Sequence, residues 1–333
     1  MFDIEGKAAV MKTLVPSYYQ KFKCIADRCR HSCCIGWEID VDPDTLAYYD
    51  SLDGEIGKRI TDTIDREGTP HFRLLDGDRC PHLTDCGLCS IISELGEGAI
   101  CEICTEHPRY RVFLTDREEI GLGMCCEEAC RIILSEEDPV SLVPLGGESN
   151  CEDGTGEEAM QSDTLDGPDM LEEDVFLIRD RALRLLQDRA LPIDERIQRL
   201  KVELDLHFST LNVEKWVGFY KELERLDHTW DVLLEAASYS YTGDLDEVDY
   251  GLPGHTAEQI LVYFVLRHLG GAVHDGCIKE RLKLALLSFY MIRAVAYTDE
   301  GKRLGLADVA RTYSSEIEYS EDNLEKLIFE LSF

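Results

Sequence analysis

Along the second half of the chain, apolar residues return at the three- and four-residue spacing of a single helix face. Phe176, Leu183 and Leu186 mark one such face, Ile197, Leu200 and Leu204 a second, and Trp216, Val217, Tyr220 and Leu223 a third. Further apolar segments run over Ile260–Leu269, Leu282–Tyr290 and Leu324–Leu331, and a turn-rich stretch spans Tyr239–His255. No long alternating pattern interrupts them, which predicts an α-helical bundle over 175–333. The first half reads differently. Tyr18-Tyr19-Gln20-Lys21-Phe22 suits a strand or extended entry, and Ile35, Trp37, Ile39 and Val41 alternate as in a half-buried strand. Asp42-Pro43 opens a helix through Thr45 to Leu52, an amphipathic stretch covers Glu55–Ile64, and Ser90–Leu95 is a short helix ended by Gly96 and Gly98. The fold expected is mainly α: an irregular lobe with few short strands over 1–145, then the bundle.

Between the lobes, residues 146–174 hold five glycines, eleven acids and few large apolar side chains. That composition buries too little surface to offset the entropy of ordering, so it reads as an acidic flexible linker or loop. Charge sharpens the division. The net charge of -33 splits into -10 over 1–131, -14 over 132–178 and -9 over 179–333. Such a chain lacks the basic footprint that neutralises phosphates, which argues against nucleic acid as a partner and tolerates a lysine-bearing protein. Lys7, Lys12, Lys21 and Lys23 interrupt the first residues, and the most apolar run, Ile260–Leu266, is far shorter than the ~20 residues that span a bilayer. A cytoplasmic protein with no membrane contact is expected.

Cysteine changes the picture most. Twelve of the 14 cysteines lie between Cys24 and Cys130. In a reducing compartment such density points to metal rather than disulfides. Three spacings carry the signal: Cys24-x4-Cys29-x3-Cys33-Cys34, Cys80 with Cys89, and Cys101-x2-Cys104 with Cys126 further on. Thiolates at such separations suit zinc and iron–sulfur clusters alike. Neighbouring side chains diverge, so at least one of Cys33 and Cys34 is expected to pair with thiols downstream. A helix is expected to begin just after Cys126, whose place there would lower its thiol pKa. Cys86, Cys125, Cys130, Cys151 and Cys277, each taken alone, read as small hydrophobes. His31, His82 and His107 read as supporting or surface groups rather than ligands. Asp40, Asp42 and Asp44 lack the glycine and glutamate of a calcium loop and read as a solvated acidic turn. Phosphate-binding, dinucleotide-binding, zinc-protease and hydrolase motifs are absent, as is the C-x3-C-x2-C cluster spacing.

The order of motifs is specific. Tyr19-x2-Phe22-x-Cys24-x4-Cys29-x3-Cys33-Cys34-x2-Trp37-x-Ile39 is followed by Cys80-Pro81-x-Leu83, Gly87-Leu88-Cys89-x-Ile91 and Glu94-Leu95-Gly96. Cys101-x2-Cys104-x2-His107-Pro108-Arg109 and Cys126-x-Glu128-Ala129-x-Arg131 complete the series. It resembles the flagellin lysine-N-methylases over roughly residues 18–135, and is similar to small zinc- or iron-chelating cysteine-rich proteins. The resemblance implies methyl transfer from S-adenosylmethionine to lysine side chains of flagellin. It also implies a [4Fe-4S] cluster, with zinc the alternative, held among Cys24, Cys29, Cys33, Cys34, Cys80, Cys89, Cys101, Cys104 and Cys126. His107 departs from it, standing where the family pattern has tyrosine. Tyr18, Tyr19, Trp37 and Arg109 are the candidates for lining the reaction site, since aromatic faces cradle cations.

Overall fold

The computed structural model describes residues 12–146, 172–248 and 251–333. The acidic segment 146–174 falls almost wholly outside the described residues, as does Cys151. Strand β1 (Lys12–Pro16) is the first element of the described residues, and helices α1 (Pro43–Asp50) and α2 (Gly54–Thr61) follow the first thiol run. Asp42 caps α1 by accepting from the Thr45 amide at 2.9 Å, and Pro43 stands at its first position. Asp42 also accepts from the Glu102 amide at 2.8 Å, so the acidic turn read from sequence is a structural clasp. The short ribbon β2 (Ile64–Asp65) and β3 (His71–Phe72) leads to α3 (Ser90–Leu95) and α4 (Glu102–Glu106).

Next come the hairpin β4 (Arg109–Phe113) and β5 (Arg117–Leu122), α5 (Glu127–Leu134) and β6 (Leu142–Pro144). One sheet runs in the order β4-β5-β1-β6, with β1 parallel to β5 and antiparallel to β6. The bundle comprises α6 (Glu172–Leu186), α7 (Ile193–Glu203), α8 (Val213–Lys221), α9 (His228–Ser240), α10 (Gly254–His268), α11 (Ala272–Asp275), α12 (Ile278–Tyr297), α13 (Asp299–Leu304), α14 (Leu306–Glu318) and α15 (Glu321–Glu330). α10 and α12 are buried nearly all round and form its axis, with α9, α14 and α15 packed on α12. The mainly α fold is as the periodicity predicts. Among the described residues, no helix is long and apolar enough to cross a membrane.

Two hydrophobic cores result. The larger joins the bundle to Tyr18, Leu122, Met124 and the inner face of α5. The smaller is made by Ile39, Val41, Tyr49, Ile60, Phe72 and Ile91 together with cysteines. Two sequence expectations fail locally. Tyr18–Phe22 is a single 3-10 turn over Tyr19–Lys21 that follows β1, because the strand ends at Pro16. Ile35–Val41 is no strand: it makes only isolated bridges to Arg79 and His71, and Ile35 is exposed while Ile39 and Val41 are buried. The alternation there serves packing on the small core, with contact to β3 confined to the Asp40–His71 bridge and the Phe72 amide donating to the Ile39 carbonyl at 3.0 Å.

Candidate metal centre

The smaller core places five of the sequence-predicted thiols together. Cys80 and Cys101 are buried in it, and Cys34, Cys89 and Cys104 pack against it. Backbone bonds hold them there: the Cys80 amide donates to the Cys34 carbonyl at 2.8 Å, and Leu83 bridges Cys89. Cys104 donates its amide to the Cys101 carbonyl at 3.0 Å within the turn that starts α4. Tyr49, fully buried, donates from its hydroxyl to the Ala99 carbonyl at 2.7 Å and lies 3.9 Å from Cys101 Sγ. Burial pushes the Cys80 thiol up to about 12.

The remaining four thiols gather at the start of α5. Cys126 is the residue before its first turn, and Cys29 Sγ lies 3.8 Å from Glu127 Oε2. Cys24, exposed, accepts from the Ala26 amide at 3.4 Å. Burial raises the Cys29 thiol to about 11, with Glu127, Cys126 and Cys24 adding repulsion. Cys126 is raised too, against expectation: burial outweighs the amides of Ala129 and Glu128 that would favour its thiolate, and Cys24 adds repulsion. Cys33 and Cys34 sit at the seam. Hydrogen bonding between them lowers Cys34 to about 7 and raises Cys33.

Among the described residues, no three Cys, His, Asp or Glu side chains converge as a closed metal site. The fit is one of donor chemistry alone: five thiols lie in or against the smaller core and Cys126 against the larger, and thiolate is the donor that zinc and iron–sulfur centres take. The other cysteines stand apart. Cys130 is buried in the larger core, its thiol donating to the Ala307 carbonyl at 3.3 Å, and Cys86 is exposed. Cys125 turns towards Tyr319, and burial raises it to about 12. His82 is buried beside Thr63 Oγ1 at 3.0 Å and edge-on to Phe72.

The aromatic candidates divide. Tyr18 lies in the larger core with no hydrogen-bond partner for its hydroxyl. Tyr19 and Arg109 form one unit, with Arg109 Nε donating to the Tyr19 hydroxyl at 2.9 Å and its guanidinium 5.6 Å from the Phe22 ring centre. Trp37 donates from its indole to the Cys33 carbonyl at 2.6 Å and faces His107 at 6.0 Å between ring centres. His107 in turn lies 6.4 Å from Tyr319, which is 42% exposed, so a row of three rings flanks the thiols. Tyr319 and Asp308, which accepts from Arg30 Nη2 at 2.9 Å, escape a motif-based reading because they lie in helical sequence far from any cysteine. Two surface depressions of about 480 and 560 Å³, lined by α7 residues such as Asp194 and by α9 residues such as Tyr239, adjoin none of these groups.

No protein-family model matches the chain. No solved structure matches it either. The chain is 28% identical over 134 residues to the "Lysine-N-methylase" of Salmonella typhimurium, covering 38% of this chain and 33% of that protein. The same figures hold for the "Lysine-N-methylase" of Salmonella choleraesuis. It is 27% identical over 134 residues to the "Flagellar biosynthetic protein FliU" of Salmonella muenchen, covering 38% of this chain and 79% of that one. The matched part thus spans about a third of the length of the two lysine-N-methylases. These similarities bear out the resemblance to the flagellin lysine-N-methylase family that the cysteine motifs carry.

Proposed function

We propose that this protein is a lysine N-methyltransferase that moves a methyl group from S-adenosylmethionine to lysine side chains of flagellin and depends on a cysteine-ligated [4Fe-4S] cluster. The observation that carries this reading is the sequence similarity to the two lysine-N-methylases. The gathering of thiols supports its metal requirement. Cys24, Cys29, Cys33, Cys34, Cys80, Cys89, Cys101, Cys104 and Cys126 would supply the ligands. When bound, a cluster of this kind supplies Lewis-acid or one-electron chemistry and ties irregular loops together.

In the transfer, the sulfonium S–C bond breaks, an N–C bond forms at the lysine amine, and the amine releases a proton. The chain's contribution is to orient and desolvate. Trp37, His107 and Tyr319 would present ring faces to the sulfonium cation. Packing of the lysine stem against the same rings would strip water from its amine and favour the neutral, attacking form. The net charge of -33 would draw a lysine-rich surface towards the protein.

The test is transfer itself. Full-length protein purified without oxygen, incubated with methyl-labelled S-adenosylmethionine and flagellin, is expected to label lysines located by mass spectrometry. Absence of label with a preparation containing iron and acid-labile sulfide sinks the reading. Colourless protein with stoichiometric zinc and no transfer would identify a non-enzymatic metal-binding interaction module instead.

A further inference from the structure

Arg267, in the last turn of α10, is largely covered, with 18% of its side chain exposed, yet its donors are idle. Its guanidinium sits 4.1 Å from the centre of the Tyr110 ring. Nε comes within 3.5 Å of Glu318 Oε1, and among the described residues none of its N–H groups makes a hydrogen bond. Covered polar groups are ordinarily paired, and the planar fork of arginine is suited to gripping two oxygens at once. Glu318 does not fill that role because its oxygens are taken, by His268 Nε2 at 2.7 Å, by the Tyr263 hydroxyl at 2.8 Å and by the Ser314 hydroxyl. The carboxylate balances the charge of Arg267 and leaves its fork unused. The idle nitrogens are not sealed from solvent, so a ligand can reach them.

The surroundings of the fork are built for close approach. Gly121 on β5 pairs with Tyr110 on β4, and a methyl group at Gly121 would stand 2.1 Å from Tyr110 Cζ, so the ring on which Arg267 stacks occupies that space. A methyl group at Gly123 would meet the Tyr319 hydroxyl at 3.0 Å, and the Gly123 amide donates to the Pro108 carbonyl at 2.7 Å. His107 and Tyr110 bracket the start of β4, and Tyr319 follows Glu318 directly. The idle fork therefore adjoins the ring row of Trp37, His107 and Tyr319, and Tyr319 is an electrostatic neighbour of Arg267.

We propose that Arg267 is a substrate-binding residue whose free Nη groups grip the methionyl carboxylate of S-adenosylmethionine while the ring row faces its sulfonium. The inference rests on the methyltransferase reading and adds the residue that orients the donor. In that ligand a short carbon chain separates a cation from a carboxylate, so recognition calls for a ring face and a cationic fork side by side. An acidic side chain of a protein substrate carries the same carboxylate, but a guanidinium this deeply covered admits a small ligand more readily than a folded surface.

The test compares S-adenosylmethionine with its decarboxylated analogue, which keeps the sulfonium and the adenosine and lacks only the carboxylate. Binding to full-length protein purified without oxygen is measured by equilibrium dialysis. The wild type is expected to hold S-adenosylmethionine about ten- to a hundredfold more tightly. The net charge of -33 favours the more cationic analogue, so bulk attraction cannot produce that preference. Arg267→Lys keeps a charge beside Glu318 but has no fork. It is expected to weaken S-adenosylmethionine by about tenfold and leave the affinity of the analogue unchanged. Circular dichroism checks its fold, and should it unfold, the comparison of the two ligands on the wild type decides alone. Equal affinity of the wild type for both ligands, or an equal loss for both in folded Arg267→Lys, overturns the proposal. So does a rise in KM for flagellin in place of S-adenosylmethionine, which would hand the fork to an acidic residue of the protein substrate. The expected preference without methyl transfer overturns only the enzymatic reading, transfer without the preference overturns only this inference, and no binding of S-adenosylmethionine overturns both.

Discussion

Arg30 and Asp308 are joined at 2.9 Å, so a residue inside the first thiol run is held by the first turn of α14. Asp308 is buried, and His31 Nε2 stands 3.6 Å from the same carboxylate oxygen. Asp308→Ala removes the acceptor of Arg30 Nη2, while Glu127 still holds the Arg30 amide and Nε, and is expected to cost up to about 1 kcal/mol. Urea unfolding at neutral pH reads it as a lower midpoint at constant slope. The thiols of Cys24 and Cys29 should also react faster with a soluble disulfide; an unchanged midpoint and rate would show the contact to be idle.

Tyr49 closes the smaller core from beneath Cys101. Tyr49→Phe keeps the ring but strands the Ala99 carbonyl, for an expected loss of about 1–2 kcal/mol. Faster alkylation of Cys101 and Cys104, mapped by mass spectrometry, should accompany it. Equal alkylation of all thiols would mean that Tyr49 does not order this side.

Acid should weaken the bundle through one buried pair. His268 Nε2 and Glu318 Oε1 lie 2.7 Å apart, and Tyr263 donates to the same carboxylate at 2.8 Å. Burial holds His268 below its ordinary value, ahead of the opposing bond to Glu318. The unfolded histidine therefore takes a proton as the pH falls through about 6.5 while the folded one resists, so its contribution is whole above that point and shrinks below it. Glu318 lies below the usual carboxylate range despite burial, because His268 and Arg267 favour its charge. Its contribution is present above about 4.5 and is lost as the pH falls through the folded value. Both slopes have the same sign. Midpoints measured from pH 8 to 4 should fall less steeply between 7 and 5 in His268→Gln than in the wild type; parallel curves contradict the assignment.

Gly301 lies in α13, where alanine would ordinarily gain up to about 1 kcal/mol in helix propensity. A methyl group there overlaps the Val295 carbonyl and Ala296. Gly301→Ala is expected to lower stability by about 2 kcal/mol or more through backbone displacement. A gain in thermal midpoint would show that the turn between α12 and α13 yields freely.

On the proposed activity, Trp37→Ala should reduce kcat/KM for methyl transfer by about tenfold, the equivalent of one cation–π contact. Trp37→Phe should recover most of it, with metal content unchanged in both. Loss of metal in Trp37→Ala would reassign the residue to holding the Cys33 carbonyl.

Helical periodicity was legible wherever one face meets the core, as in Trp216, Val217 and Tyr220, because burial and spacing coincide there. The sheet was not: β1 is five residues long and β6 three, and their partners lie about 100 or more positions away, so the pairing leaves no local signature. Thiol spacing showed which cysteines belong together in loops, yet it could not reveal that Cys126 sits with Cys24 and Cys29 while Cys104 sits with Cys80. That division is set by which core each loop packs on. The ring row needed Tyr319, whose neighbour His107 is 212 positions earlier in the chain, and helical sequence gives no sign of such a meeting.

The pairing of Pro16 with Leu142 has a further consequence. Everything between those residues forms a ring closed at a neck of backbone hydrogen bonds. The entropy of drawing Cys24 near Cys126 is reduced accordingly, because the ends of the loop are already fixed when any thiol-seeking ion arrives. An ion then takes up slack inside a closed ring, and stripping it away loosens the ring's contents while the neck stays tied.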